Sequence, residues 1–215
     1  NYGSGVGLSP LNGLTADPKE ATVNRLNHRY GDPRSKEEGG WFNADLPLAN
    51  GMELYAFGGA SLKHGEGAGF FRRPGDDRTI RSIWPDGFLP VIQSAVNDTS
   101  LGGGIKGKAA DWNWDLSNVF GDNTLRYQTA NSINDSLGAA SKTSFYSGKL
   151  IFSQDTTNLD FTNQVDLGLH SPLKIALGGE YRWEKYKVVA GEPDSYRDGG
   201  VRILDGPNAG TIGGT

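Results

Sequence analysis

Apolar and polar residues alternate along six segments of the chain, as in the run Trp112-Asn113-Trp114-Asp115-Leu116. A period of two puts successive side chains on opposite faces of a β-strand, so the pattern predicts six strands. Their predicted bounds are 36–48, 52–63, 99–108, 112–123, 157–169 and 173–187. Asn50-Gly51, between the first two strands, is a strong hairpin signal because both residues tolerate a positive φ. The chain is therefore predicted to be all-β.

The predicted strands are joined alternately by short and long connections. Links within the three hairpins have two to four residues, and links between hairpins have about 20–35. Loops above about 12–15 residues are uncommon in compact domains. Antiparallel pairing puts every short turn at one end and every long loop at the other. This arrangement is typical of outer-membrane β-barrels, with short periplasmic turns and long extracellular loops. The expected fold is a segment of an antiparallel transmembrane β-barrel.

Each predicted strand has an apolar and a polar face, which a barrel wall turns toward lipid and lumen. The predicted lipid-facing residues are Trp112, Trp114, Leu116, Leu159, Phe161, Val165, Leu167, Ile175 and Leu177. The predicted lumen-facing residues are Asp115, Asp160, Asp166, Glu180, Arg182 and Glu184. Trp112, Trp114 and Tyr55 fall near the short turns, where interfacial aromatic side chains are expected to form a girdle.

Residues 1–35 lack this alternation and are predicted to be loop with one short helix at about 18–26. Asp17 is a suitable N-cap, Pro18 suits the first helical position, and Glu20 lies three residues after the cap. The chain begins at Asn1, and its tail has loop composition. We therefore expect it to be a piece of a longer protein.

Composition excludes several classes of function. Glycine supplies 32 of 215 residues, about 15% and twice the usual share of about 7%. Aromatic residues make up 10%, which argues against disorder. The chain has no cysteine, which excludes disulfide scaffolds, thiolate metal sites and cysteine nucleophiles. Its net charge of −4 gives no reason to expect a nucleic-acid partner.

Three motif-like patterns have simpler structural interpretations. The run from Gly102 to Lys108 has the spacing of a phosphate-binding loop, but Ala109 stands where Ser or Thr is required. Asp111, Asn113 and Asp115 imitate the start of a calcium loop, but strand alternation explains their spacing. The three histidines have no metal-site spacing, and no Gly-x-Ser-x-Gly elbow is present. We predict no enzyme activity, no metal site and no cofactor.

The long connection before the third strand carries the best candidate ligand-binding residues. These are Arg72, Arg73, Arg78, Trp84 and Asp86. Guanidinium groups suit carboxylates or phosphates, and aromatic side chains suit sugars or rings. The alternative is a loop held together by its own ion pairs, since charged loop residues are usually solvated.

Several segments together resemble the barrel of TonB-dependent receptors. They are Glu53–Gly59, Gly65–Pro74, Trp84–Pro90, Asn158–Phe161, Gly178–Glu184 and Ala190–Pro193, within a likeness that covers most of residues 20–200. The resemblance implies a 22-stranded barrel with an N-terminal plug, of which residues 1–215 would form a partial barrel domain, about a quarter of the wall. Neither the plug nor a TonB box occurs in these residues, so energy coupling is implied only for the parent protein.

The expected function is TonB-energised uptake of a nutrient, such as a siderophore, vitamin or saccharide, across the outer membrane of a Gram-negative bacterium. The implied partners are outer-membrane lipid, the remaining barrel and plug, the TonB system through that plug, and a small-molecule ligand. One alternative is a secreted soluble β-sheet module resembling a lectin or adhesin, and another is a passive porin. A soluble module would cover its apolar face with a second sheet, whereas a barrel wall would leave that face exposed.

Overall fold

The computed structural model describes residues 33–204 continuously, together with residues 19, 22, 24–27, 29, 31 and 209–212. Its six strands are β1 (Arg34–Pro47), β2 (Glu53–Ala68), β3 (Val91–Ala109), β4 (Trp112–Ala130), β5 (Ser144–Val165) and β6 (Leu173–Ala190). They form one open antiparallel sheet in the order β1-β2-β3-β4-β5-β6. The predicted all-β class is confirmed. No helix among the described residues has the length and apolar character needed to cross a membrane.

Backbone pairing joins all six strands in a nearly continuous register. Leu46 pairs with Leu54, which pairs with Ile105, and the same row continues through Leu116 and Leu159. Directly paired residues project from the same face of a sheet, and successive residues project from opposite faces. The apolar face therefore carries the even-numbered residues of β1, β2 and β4 and the odd-numbered residues of β3, of β6 and of β5 from Lys149 onward. The register shift at Tyr127/Gln128 reverses the start of β5, so Ser144 and Tyr146 lie on the apolar face and Phe145 lies on the polar face. The remaining strand residues form the polar face.

Large apolar side chains concentrate on the apolar face, toward the β1–β2, β3–β4 and β5–β6 turns. This apolar band consists of Phe42, Leu46, Leu54, Leu101, Ile105, Trp112, Trp114, Leu116, Phe120, Leu159, Phe161, Ile175, Leu177, Tyr181 and Trp183. None of these residues is buried, and Leu101 and Leu177 remain 55% and 53% exposed. Among the described residues, no second layer covers the band.

The buried core lies at the other end of the sheet. The buried hydrophobic residues of the described chain are Phe71, Ile80, Phe88 and Phe145. The first three belong to the connection 69–90, and Phe145 lies near the start of β5. The long connections 69–90 and 131–143 share this end, while the shorter connections 48–52, 110–111 and 166–172 share the opposite end. The core therefore stabilises the two long connections, 69–90 and 131–143, which we call the cap. The sheet is held together by the backbone hydrogen bonds between its strands.

Aromatic side chains on the polar face lie across glycines of the neighbouring strand. Trp41 pairs with Gly59, Phe57 with Gly102, and Tyr55 with Gly104. A Cβ atom at each of these glycines would overlap the partner ring. The rings of Tyr55 and Phe57 are themselves stacked, with centroids 6.4 Å apart. These close approaches account for part of the unusual glycine content.

Four strands extend well beyond their predicted bounds. β3 begins at Val91, whereas the pattern indicated 99, and β5 begins at Ser144, whereas the pattern indicated 157. β2 continues to Ala68 and β4 to Ala130, whereas the pattern indicated 63 and 123. In these added segments both faces carry a mixture of polar and apolar residues, so no period of two marks them. Their pairing depends on backbone hydrogen bonds to already aligned neighbours.

Asp166 and Leu167 were predicted on a strand but lie in the connection after β5, which ends at Val165. Gly168 adopts a φ of 71°, which is incompatible with a continuing strand. Its N–H donates to the Asp166 carboxylate at 2.9 Å, forming a local turn. The strand placement of these two residues is therefore wrong, and the facing assigned to them loses the alternation on which it rested.

Tyr55 was grouped with Trp112 and Trp114 but projects from the opposite face of the sheet. Its hydroxyl donates to Asp115 at 2.7 Å, which holds the ring on the polar face. Residues 18, 20, 21 and 23 of the helix predicted at about 18–26 lie outside the described residues. Within that region Arg25–Asn27 form a short 3-10 turn.

We predict that Gly104→Val destabilises the sheet by about 1–3 kcal/mol, because the new side chain would displace neighbouring atoms. A Cβ atom there would lie 2.6 Å from the Tyr55 ring and 2.7 Å from the Leu116 carbonyl oxygen. Gly121→Val is the matched control on the same face, since nothing lies within 4 Å of its Cβ position. Chemical denaturation of the complete protein measures both. Equal loss of stability in the two variants would contradict the close-packing explanation.

Candidate functional site

The connection 69–90 folds back on itself to form most of the cap. The N–H of Arg72 donates to the Phe88 carbonyl at 2.7 Å, and the N–H of Phe88 donates to the Arg72 carbonyl at 2.9 Å. Gly69 closes the base of the loop by donating to the Pro90 carbonyl at 2.7 Å. Pro74 is fully buried inside it. This loop is a packed unit that can position side chains.

An ion pair organises the tip of the loop. The Arg78 guanidinium donates twice to Asp76, with both distances 3.0 Å, and the Arg78 backbone N–H donates to the same carboxylate. Burial acts to raise the pKa of Asp76, but these hydrogen bonds and the charge of Arg78 outweigh it, so the pKa lies below its ordinary value. Asp76 is only 6% exposed, which makes its pairing a structural requirement.

The second cap segment, residues 131–143, is anchored to the chain that follows β6. The Asn134 side chain donates to the carbonyls of Asp194 and Arg197, both at 2.9 Å. Ser136 Oγ accepts from the Gly199 N–H at 2.9 Å. Lys142 pairs with Glu192, and together with the Tyr146 N–H it holds the pKa of Glu192 below its ordinary value. The segment thereby forms a fixed wall opposite the first loop.

A cleft of about 400 Å³ separates these two cap segments. It is lined by Gly69, Phe70, Arg72, Arg78, Phe88, Pro90, Ile92, Thr129, Ser132, Ile133 and Asp135. Ile92 and Thr129 belong to the polar face, so the cap folds over that face. We call this space the loop cleft.

The loop cleft combines two guanidinium groups, one carboxylate and aromatic surface. The Arg72 guanidinium lies 5.8 Å from the centroid of the Phe70 ring. Desolvation raises the pKa of Asp135, and its Oδ2 is buried without a hydrogen-bond partner in the described structure. Guanidinium groups beside an aromatic ring suit an anionic or ring-bearing ligand. Asp135 adds an acceptor that a ligand donor can satisfy.

The structure brings together only part of the predicted ligand site. Arg72 and Arg78 line the loop cleft, although Arg78 is also committed to Asp76. Trp84 stacks on Phe88 with centroids 5.7 Å apart, and its indole N–H donates to the Ser132 carbonyl at 3.5 Å. The stacking lies within the 69–90 loop, and the indole hydrogen bond joins that loop to the second cap segment.

The other two predicted residues have different surroundings. The Arg73 carbonyl accepts a hydrogen bond from the Thr79 hydroxyl at 2.8 Å. The Asp86 side chain is 70% exposed and pairs with Lys19 at 2.7 Å. The alternation pattern does not single out Asp135, which lies in the long connection between the predicted strands 112–123 and 157–169. No local signal identifies it, since only the cap fold brings it beside Arg72 and Arg78.

The predicted lumen-facing and lipid-facing residues that lie on strands separate cleanly. Asp115, Asp160, Glu180, Arg182 and Glu184 share the polar face. Trp112, Trp114, Leu116, Leu159, Phe161, Val165, Ile175 and Leu177 share the apolar face. On the polar face, Arg182 pairs with Glu180 at 2.8 Å and approaches Glu184 at 3.8 Å.

The weak motifs acquire no chemical site in this fold. Residues 102–108 lie within the extended strand β3 and are followed by a turn into β4. No group of three or more His, Asp or Glu side chains in the described part of the chain is arranged to hold a metal ion.

No family model, curated protein or solved structure matches the chain. The resemblance to TonB-dependent receptors therefore stays a proposal.

We predict that Asp76→Asn opens the 69–90 loop, because Arg78 loses its charged partner and the loop loses about 1–3 kcal/mol of local stability. Hydrogen–deuterium exchange of residues 69–90 measures this. In the unaltered protein the folded pKa of Asp76 lies below its ordinary value of 3.8. Its contribution is therefore fully present above that pH and disappears as the pH falls through the folded pKa. We expect constant protection from neutral pH to about 5 and loss only in stronger acid.

Asp86→Asn is the matched control, because it removes the same charge from an exposed carboxylate in the same loop. We expect protection of residues 69–90 to change little in this variant. Similar exchange in both variants would contradict the proposed role of Asp76.

Proposed function

We propose that this chain forms about a quarter of the wall of an outer-membrane β-barrel receptor, which takes up a nutrient with energy supplied by the TonB system. One observation carries the proposal: the apolar band occupies a single face, is uncovered in the described structure, and lies apart from the buried core. In water such a band would be costly, at about 25 cal/mol per Å² of apolar surface. In a bilayer it is the surface that lipid requires.

The height of the band fits a membrane. On β6 it runs from Ile175 to Trp183, and Leu173 continues the same face toward the turn. Ten residue steps of about 3.3 Å, at a strand tilt of about 40°, span about 25 Å. This equals the apolar height of outer-membrane barrels. The strands contain 14 to 22 residues, more than the 9–11 needed to span the bilayer, so they would extend well beyond it on the cap side.

The open edges favour a larger closed structure. β1 and β6 each have one strand neighbour in the described structure. An unpaired strand edge in lipid costs several kcal/mol for each unsatisfied backbone group. Further strands of the parent barrel would pair with both edges and remove this cost.

The loop cleft supplies the proposed recognition site. It lies at the long-connection end and opens over the polar face, which would line the lumen. A ligand held there would be positioned above the plug implied by the resemblance. Arg72, Phe70 and Asp135 suit an acidic or ring-bearing nutrient, such as a siderophore, vitamin or saccharide. Energy coupling would pass through the plug to TonB.

The two alternatives are less well supported. A secreted lectin-like module needs a second sheet or other layer over the apolar band, and the described residues supply neither. A passive porin shares the wall but needs no plug in its lumen. The loop cleft, which is lined by Arg72 and by the Asp76-bound Arg78, favours a receptor over a general pore.

The proposed membrane placement predicts that arginine substitutions at neighbouring residues have different effects on barrel assembly. Leu159→Arg and Phe161→Arg should each reduce barrel assembly, because a charge at mid-membrane on the lipid face costs about 2–4 kcal/mol. Asn158→Arg and Asp160→Arg place the same charge on the polar face and should assemble nearly normally. Heat-modifiable gel mobility of the complete protein measures the folded fraction. Equal yields from the two pairs would contradict membrane insertion through the apolar face.

Liposome swelling separates a plugged receptor from a passive porin. We expect liposomes containing the complete protein to swell in arabinose no faster than empty liposomes, because the plug fills the lumen. Deletion of the plug should produce rapid swelling. Rapid swelling with the unaltered protein would instead favour the porin and contradict an energised receptor.

A further inference from the structure

A cavity of about 530 Å³ lies in the middle of the polar face. The ring of Trp41 forms one wall, Ser100 and Gly121 lie on the floor, and Phe152 and Gln154 form the far side. These residues come from four strands, which the continuous register aligns. Small-molecule sites usually have volumes of about 300–1,000 Å³. We call this space the mid-sheet pocket.

Trp41 presents a flat aromatic surface to the mid-sheet pocket. Its ring lies directly across Gly59, where a Cβ atom would overlap it. The tryptophan is nevertheless 71% exposed, so the opposite side of the ring is accessible to a ligand. The indole N–H adds a hydrogen-bond donor at the edge of that surface. A flat ring with a polar edge suits a ligand that is itself a ring with polar substituents.

The floor beside the Trp41 ring has room for such a ligand. Nothing lies within 4 Å of the position that a Cβ atom would take at Gly121. Gly121 pairs with Ser100 on one side and with Gln154 on the other. A ligand above Gly121 therefore has a hydroxyl group and an amide group on the two adjacent strands, about 5 Å to either side.

The charges around the mid-sheet pocket disfavour an anionic ligand. None of the described residues that line it is a lysine or an arginine, whereas Glu37 and Asp98 both contribute carboxylates. Lys63 approaches Glu37 at 3.7 Å, but Asp98 forms no ion pair in the described chain. Asp98 accepts one hydrogen bond from the Asn123 amide at 2.5 Å. Because a carboxylate accepts several hydrogen bonds, Asp98 can also accept from ligand hydroxyl groups.

A neutral sugar matches these groups better than the other nutrient classes. A pyranose ring carries C–H groups on its flat face and hydroxyl groups around its rim. The flat face would lie on Trp41, while the rim hydroxyls would reach the Ser100 hydroxyl and the Asp98 carboxylate. The guanidinium groups that suit an acidic ligand occur in the loop cleft, and the mid-sheet pocket has none among its described lining residues.

The mid-sheet pocket is separate from the loop cleft but lies on the same face. Ser100 is eight residues along β3 from Ile92, which lines the loop cleft. At about 3.3 Å per residue, the two sites are about 26 Å apart. Phe120, next to Gly121, is the last apolar-band residue of β4 on the cap side. The pocket therefore lies level with the cap-side edge of the apolar band.

We propose that the mid-sheet pocket binds a neutral saccharide, with one sugar ring stacked on Trp41 and its hydroxyl groups bonded to Asp98 and Ser100. This inference rests on the proposed function, in which the polar face lines the lumen. It selects saccharides from the nutrient classes named there. The pocket would be a second binding station, reached after the loop cleft on the way through the barrel.

The test measures binding of neutral oligosaccharides to the complete protein in detergent. An array of glucans, mannans, xylans, galactans and arabinans identifies the sugar that binds, and titration calorimetry gives its affinity. Gly121→Leu should weaken binding at least tenfold, because the new side chain fills the floor without displacing protein atoms. Trp41→Ala should weaken it about tenfold, because it removes the stacking surface.

Gly40→Leu and Trp183→Ala are the matched controls, since both residues lie on the apolar face. Nothing lies within 4 Å of the Cβ position at Gly40, and Trp183 is 47% exposed. We expect both controls to bind the sugar with unaltered affinity. Heat-modifiable mobility verifies that all four variants are folded.

Four outcomes would overturn the inference. Failure of the folded protein to bind any arrayed saccharide would remove the site, and equal affinity in all variants would place the sugar elsewhere. Binding of spermidine in place of sugar, lost in Trp41→Ala, would indicate a cationic ligand. Liposome swelling produced by Gly121→Leu without a change in sugar affinity would indicate a surface that holds the plug. These outcomes leave uptake of another nutrient intact, whereas rapid swelling with the unaltered protein would remove the proposed function itself.

Discussion

The backbone hydrogen-bonded ladder is the constraint on which the rest of this structure depends. A single antiparallel register runs through six strands, with one irregularity near Tyr127 and Gln128. Because a shift of one residue would exchange the two faces, that register decides which side chains form the apolar band and which form the polar face. The aromatic rings that lie across Gly59, Gly102 and Gly104 fit only in this register, and so support it.

Large apolar side chains occur in two different environments, buried inside the cap and exposed on one face of the sheet. Phe71, Ile80 and Phe88 pack inside the cap, where they stabilise a loop that would otherwise be open. The apolar band has no such partner in the described structure, and its exposure is the basis of the proposed membrane environment. Burial in the cap and exposure on the sheet therefore have different consequences. The first holds the loop cleft in shape, and in our proposal the second anchors the wall in lipid.

Charged side chains also have different surroundings in the loop cleft, on the polar face and on the apolar face. Around the loop cleft, Asp76 fixes Arg78, while Asp135 and Arg72 face the space between the cap segments. On the polar face, Lys63 and Lys106 pair with glutamates of neighbouring strands. On the apolar face, Arg126 and Lys149 remain without an acidic partner in the described chain. In our proposal the loop cleft recognises a nutrient from the polar side of the sheet.

The sequence alone determined the strand class and the opposite facing of neighbours such as Asp160 and Phe161, because a period of two depends only on local backbone geometry. It did not reveal where β3 and β5 begin, because pairing with neighbouring strands sets those limits. It also did not reveal that β5 ends before Asp166, because the left-handed conformation of Gly168 sets that limit. Only the tertiary structure placed Asp135 beside Arg78 and Lys149 opposite Arg126. Contacts between residues distant in sequence depend on register and loop folding, which no local pattern encodes.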